Sequence, residues 1–443
     1  MRATRVRIDQ YVVIQSCLSV LAFFVMFVFE YSGRLSNFSL SERLTRIPIS
    51  DPPWLPFSDV PEPILGVHFF GDWLLQAKYS LIGVPYTVEV PSVTPPFGLL
   101  ITATLVYVAG LLGGLIIVNI TCIIVWHRVI SSALTEQSLM LKTMFFVFCF
   151  FMGLPFIGGF DRGSLVPLAY GLIGLSYLQH QRRKKLLALI LFVVAVSLKP
   201  YLFMFTVLLI ARREYSAFLR VGLLTVSVNL ISLFFYSENI LKGIGQYVKA
   251  ASYYTSESIV KFDVINSISP IAAVARVLKV LNLDTEGTKL LETGIKFYFI
   301  ISIVLIVLCF LMLVSENFDK RISISFIILS STIIVPVGQV YVLSAVSLAI
   351  LAYFGFGQKT ETKTELQDTR VKNLYGLVLC LHGLICLTPL AITFPDPFRG
   401  GFLPAILLHS FIYWIEMMLC IHLLSTKAIR RTNRKASENE KTN

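Results

Sequence analysis

Charge is what this chain has least of: Asp, Glu, Lys and Arg make up 14% of its 443 residues, where soluble domains carry about 25%. With 56% of residues hydrophobic, that shortage excludes a water-soluble globular fold and points to an integral membrane protein. Acids are scarcer than bases, 26 against 38, for a net charge of +12. The cations fall in short runs between apolar stretches, as topology determinants do, so no nucleic-acid partner is expected. Cysteine is missing from the polar segments. All seven (Cys17, Cys122, Cys149, Cys309, Cys380, Cys386, Cys420) lie in apolar runs, so neither a disulfide framework nor a zinc site is expected. No internal repeat is visible. The apolar stretch from about Tyr11 to Phe29 lacks a small-residue cleavage site, and a first transmembrane helix is expected there in place of a removable signal.

What the chain does have is apolar runs, at 11–30, 99–126, 143–160, 164–180, 186–198, 200–211, 220–236, 291–314, 322–336, 339–355, 374–393 and 403–424. These predict an all-α polytopic membrane protein, a single domain over 1–443, with about twelve transmembrane helices, several too short to cross a ~30 Å core upright. With a cytoplasmic N-terminus, the inner segments hold 24 of the 38 cations, from Arg2, Arg5 and Arg7 through Arg182 to Lys185 to the basic tail at 426–443. Both termini are then expected to be cytoplasmic, in the plasma (inner) membrane, with the tail touching anionic headgroups. Two long segments, 31–98 and 237–290, fall on the outer face. The first, with Pro52-Pro53-Trp54-Leu55-Pro56-Phe57, reads as ordered loop with one amphipathic helix on the membrane surface. The second carries Tyr247, Tyr253, Tyr254 and the turn signal Asn266-Ser267-Ile268-Ser269-Pro270. Loops of this length are usually functional.

Charged residues at the ends of spans are the candidate site. Asp161-Arg162-Gly163-Ser164 joins two apolar runs in a short outer turn. Ser164 is placed to cap the next helix, with Pro167 in its first turn, so a positive helix end beside Arg162 suits a phosphate. The competing reading is a local Asp161–Arg162 pair marking the interface. Lys199-Pro200-Tyr201 lies between runs of about twelve residues, each rising about 18 Å, which puts Lys199 within the membrane profile and in need of an anion, unless it snorkels to the interface. In the first outer segment, Asp59 and Asp72 are candidate general bases, set against the commoner role of a loop acid capping a helix. Pro336 to Tyr341 reads as an outer helix break or a tight turn. His382, His409 and Glu416 lack close spacing, and pairing between helices is expected of them more than metal binding.

Taken in order, Phe70-Gly71-Asp72 with Pro85-Tyr86 and Pro95-Pro96-Phe97, then Phe160-Asp161-Arg162-Gly163, Leu198-Lys199-Pro200-Tyr201 and Pro336 to Tyr341 resemble the membrane-embedded glycosyltransferases of the GT-C superfamily, most closely glycosyltransferase family 87. The motifs are individually short; their order and shared outer placement carry the resemblance. It implies a single-sugar transfer, with mannose the first choice, from a polyprenyl-phosphate donor to a lipid or glycan acceptor on the outer face. Asp72 would be the base with Asp59 its rival, Arg162 and Lys199 would hold the donor phosphate, and Asp161 would orient Arg162. Ser164, Tyr201, Gln339 and Tyr341 would line the cavity. Many relatives have Asn where this chain has Ser164, which alters reach there. A monophosphate leaving group carries less charge than a nucleotide diphosphate, so neither a metal nor another cofactor is expected in the transfer. The alternatives are an O-antigen-type polymerase or ligase, for which the outer cations Arg34, Arg43, Arg46, Lys242 and Lys249 form no clear pattern, and a lipid-linked glycan transporter, for which repeat symmetry is missing.

Overall fold

A computed structural model describes residues 7–31, 71–82, 85–86, 94–260, 270–271, 284–315, 319–334, 340–355, 369–387 and 409–425. Among them there is no strand, and the structure is a bundle of helices. In chain order these are α1 (Ile8–Tyr31), α2 (Gly71–Ile82), α3 (Pro96–Ala133), α4 (Leu139–Phe150), α5 (Leu154–Arg162), α6 (Val166–Gln181) and α7 (Lys185–Leu198). A 3₁₀ turn at Pro200–Thr206 leads into α8 (Val207–Ala211), followed by α9 (Tyr215–Leu233), α10 (Ile240–Val260), α11 (Asp284–Val314) and α12 (Lys320–Ile334). A second 3₁₀ turn at Val340–Leu343 opens α13 (Ser344–Gly355), and α14 (Thr369–Leu387) and α15 (409–425) follow.

Among the described residues, three helices are long and apolar enough to cross a membrane: Pro96–Ala133, Tyr215–Leu233 and Phe297–Val314. Their outward faces carry Leu112, Leu223, Ile231, Phe299 and Val304 exposed, an arrangement that suits lipid. Shorter apolar helices fill the middle, where Trp126, Tyr170, Phe326, Leu348 and Ile350 are almost wholly buried.

Boundaries depart from the apolar runs where backbone chemistry intervenes. The run 143–160 is two helices, α4 and α5, because Gly153 and Pro155 break the first and start the second. The run 200–211 is a 3₁₀ turn with one short α-helix, Pro200 opening the turn. Helix α3 bends at Gly110, whose backbone at φ 74° and ψ 172° is accessible essentially to glycine alone. The segment 237–290, expected from the sequence as an outer loop, is not mainly loop where described: α10 and the start of α11 occupy it.

Two ends of the bundle differ in chemistry. At one end, Tyr353 donates from its hydroxyl to the Lys372 carbonyl (3.0 Å), the Lys372 ammonium lies 3.6 Å from Asp319, and Gly355 sits against the Ala133 carbonyl. His180 meets Glu214 at 3.2 Å and Arg212 reaches the Tyr177 hydroxyl at 3.3 Å at the same end. Helices α6 and α9 are entered or left there through Arg183 and Arg213, both in the left-handed region with φ 63° and 60°. The other end gathers the start of α2, the α5–α6 turn, the α7 terminus and the start of α3.

Candidate functional site

The α5–α6 turn is built by a C-terminal cap. Gly163 adopts φ 65° and ψ 35°, its N–H bonds the Phe160 carbonyl at 3.1 Å, and the Ser164 N–H reaches back to Gly159 at 2.8 Å. This paired arrangement closes a helix on a left-handed glycine. Asp161 and Arg162 therefore form the last turn of α5, and not the short turn between two apolar runs that the sequence predicts. Ser164 is buried and accepts weakly from the Val166 N–H at 3.4 Å, while the N-cap position of α6 is taken by Leu165, which makes no side-chain cap. Pro167 does lie in the first turn of α6, and its carbonyl accepts from the Trp126 indole at 2.8 Å.

Trp73 joins α2 to this turn. A Cβ added at Gly163 would stand 2.5 Å from the Trp73 Cβ, so the backbone of α2 and the turn touch because residue 163 has no side chain. The Trp73 indole donates to the Leu111 carbonyl at 2.9 Å, just beyond the Gly110 bend, and its ring fills the space that a side chain at Gly114 would need. One turn along α2, Gln76 is buried beside Thr102 of α3 at 3.4 Å. Helix α2 starts at Gly71, so Asp72 opens the helix whose second neighbour, Trp73, is pinned against Gly163.

Lys199 is half-buried in extended backbone, φ −141° and ψ 96°, between α7 and the 3₁₀ turn. The extended conformation follows from the proline after it. Its N–H closes α7 on Ala195 and its carbonyl accepts from Leu202, both at 3.0 Å. The Leu198 side chain lies 4.0 Å from where a Cβ on Gly98 would stand, in the first turn of α3 after Pro95-Pro96. Tyr201 stands ring to ring with Tyr170 at 6.3 Å, and the Tyr170 hydroxyl meets Ser331 of α12 at 2.8 Å. The 3₁₀ turn at Val340–Leu343 packs on α5 and α6, so the fourth motif adjoins the same region.

A small satellite core closes the rim. Tyr86, Leu99, Leu233, Tyr236 and Ala250 bury one another, with Tyr247 edge-on to Tyr86 at 5.2 Å. The Tyr86 hydroxyl donates to the Thr94 carbonyl at 2.9 Å, and burial, with Tyr247 and Tyr236 nearby, pushes its phenol far above the ordinary value. Phe97 donates from its N–H to Asn229 at 3.4 Å.

Asp59 and Gln339 lie outside the described residues, as do the side chains of Asp72, Asp161, Arg162 and Tyr341. The sequence reading missed Trp73, Gly110 and the consecutive polar residues Ser330, Ser331 and Thr332 of α12. Ser330 meets the Tyr413 hydroxyl at 2.9 Å, Ser331 meets Tyr170, and Thr332 meets His409 at 3.1 Å. Three hydroxyls in a row inside an apolar run were the signal. The expected pairing of histidines and Glu416 between helices is present: His382 contacts Glu416 at 3.2 Å and His409 at 2.6 Å. Compared with protein-family models, curated proteins and solved structures, the chain matches none.

Proposed function

We propose that the chain is a GT-C-type glycosyltransferase that moves one sugar, with mannose the first choice, from a polyprenyl-phosphate donor to a lipid or glycan acceptor on the outer face of the plasma membrane. The observation that carries this reading is the contact of Trp73 with Gly163. It sets the helix that begins with Asp72 against the turn that ends with Asp161-Arg162, while Leu198, next to Lys199, packs at the start of α3. An acid from the first outer segment and two cations from separate helix ends then belong to one end of the bundle. Counting α4 with α5 as one crossing, the 3₁₀ turn with α8 as another, and leaving out α2 and α10, the reading has twelve crossings, with both termini on the cytoplasmic side.

In this mechanism Asp72 takes the proton of the acceptor hydroxyl as its oxygen bonds to the anomeric carbon. The bond from that carbon to the donor phosphate breaks, and its electron pair leaves with polyprenyl phosphate. Arg162 and Lys199 hold the anionic leaving group by charge-assisted bonds, which count for more where water is excluded. Asp161 orients Arg162. No metal takes part in the transfer step.

The test uses purified protein in lipid nanodiscs with labelled polyprenyl-phosphate sugars and a lipid extract. Asp72→Asn is expected to lower turnover by about 10²–10⁴-fold, and Arg162→Ala by about 10²–10³-fold, with unchanged melting temperatures. Normal turnover in Asp72→Asn with loss in Asp59→Asn would move the base to Asp59. Full activity in all three would make the constellation structural. A polymeric product would assign the O-antigen-type reaction instead.

A further inference from the structure

Apart from the transfer reading, a second polar cluster lies between α12, α14 and α15. His382, Cys386, His409 and Glu416 are all fully buried. His382 and Cys386 stand four residues apart on α14, which places them on one face, and His409 approaches from α15. The ligand atoms of His382, Cys386 and His409 all lie within 4.8 Å of one another.

The outer nitrogens of both imidazoles are occupied. His382 Nδ1 faces Glu416 Oε1 at 3.2 Å, and His409 Nε2 faces Thr332 Oγ1 at 3.1 Å. What remains pointing inward is His382 Nε2 and His409 Nδ1, 2.6 Å apart, with the Cys386 thiol beside them. A carboxylate on the far nitrogen of a histidine is the arrangement that orients metal-ligating histidines and raises their basicity. The other carboxylate oxygen, Glu416 Oε2, is buried with no hydrogen-bond partner. A proton shared along Thr332, His409, His382 and Glu416 would satisfy the imidazoles, but it would leave Oε2 and Cys386 unexplained. A divalent ion gives Cys386 a bonding partner, and its two positive charges balance the Cys386 thiolate and the Glu416 carboxylate, which removes most of the penalty of charge in an apolar interior.

We propose that His382, Cys386 and His409 bind a zinc ion whose fourth position is filled by water, with Glu416 and Thr332 orienting the two imidazoles. Two imidazoles and one thiolate suit zinc among the divalent metals. On binding, Cys386 Sγ bonds the ion and releases its proton to solvent, and the two facing nitrogens separate to about 3.3 Å so that each lies about 2.0 Å from the metal. The ion would tie α14 and α15 together below the α12 hydroxyls.

The test is made on the full chain in detergent. Elemental analysis of the zinc-loaded wild type should give one zinc per chain, and X-ray absorption should show one sulfur neighbour at about 2.3 Å and nitrogens at about 2.0 Å. Replacing zinc by cobalt should give a sulfur-to-cobalt charge-transfer band that Cys420→Ser keeps and Cys386→Ser loses, while Glu416→Gln weakens affinity about 10–100-fold. Folded wild type that takes up no stoichiometric zinc, a metal shell without sulfur, or a band retained by Cys386→Ser would overturn the proposal.

Discussion

Gly163 separates two effects that a substitution would combine. Its φ of 65° makes any other residue strained by about 1–2 kcal/mol, and its missing Cβ leaves room for the Trp73 Cβ at 2.5 Å. A methyl there overlaps main-chain-anchored atoms, so α2 has to move, at a further cost of about 1–3 kcal/mol. Gly163→Ala is therefore expected to destabilise the protein by about 3 kcal/mol in thermal or denaturant unfolding, and to lower transfer with it. A loss of only about 1 kcal/mol would mean that α2 does not rest on the turn. The Asp161-Arg162-Gly163 motif was legible in the sequence because charge and glycine interrupt apolar residues there. Trp73 was not, since a tryptophan in a loop-like stretch gives no sign of which distant glycine it will meet.

The helix joints show how element ends are encoded in a chain whose cations also set topology. α6 and α8 end on Arg183 and Arg213 in the left-handed conformation that glycine adopts more easily. Lys184 and Glu214 donate back to Gln179 and Leu209 at 3.0 and 2.9 Å, completing the same double cap that Gly163 makes. Arg183→Gly is expected to stabilise the fold by about 1 kcal/mol in denaturant titration, at the loss of one cation from that end. A destabilised Arg183→Gly would mean that the arginine side chain makes contacts outweighing its backbone strain. At the α11–α12 joint, burial raises the Asp319 carboxyl, but bonds and charge from Arg321 and the charge of Lys372 outweigh it and hold it below its ordinary value. The stabilisation is then present above the ordinary carboxylate range and fades as pH falls through the lower, folded value. Melting curves should show wild type above Asp319→Asn at neutral pH, with the gap closing in acid; a gap that stays constant would show that the ion pair contributes nothing. Apolar runs alone located most helices, yet they merged α4 with α5, because the Gly153 and Pro155 break lies inside unbroken hydrophobicity. They also could not bring His382, His409, Glu416 and Thr332 together, since those contacts join residues 27 to 77 positions apart.

Across the molecule, composition shows why the ends differ. The basic joints at Arg182-Arg183, Arg212-Arg213 and Asp319 with Lys372 lie at one end, and the turns at Gly163 and Lys199 at the other. Between them, hydroxyls, two histidines and Glu416 join α12 to α6 and α15, and α15 to α14, through Ser331 with Tyr170, Ser330 with Tyr413, Thr332 with His409 and His382 with Glu416. The all-α architecture and the candidate positions could be read from hydropathy and interrupted charge; the bends at Gly110 and the 3₁₀ turns could not, because they depend on local backbone conformation within apolar runs. The most direct measurement supplies one labelled polyprenyl-phosphate sugar to the wild-type protein and quantifies both products. The account predicts one polyprenyl phosphate released for each single sugar joined to acceptor; an intact donor, or its translocation without bond cleavage, would contradict it.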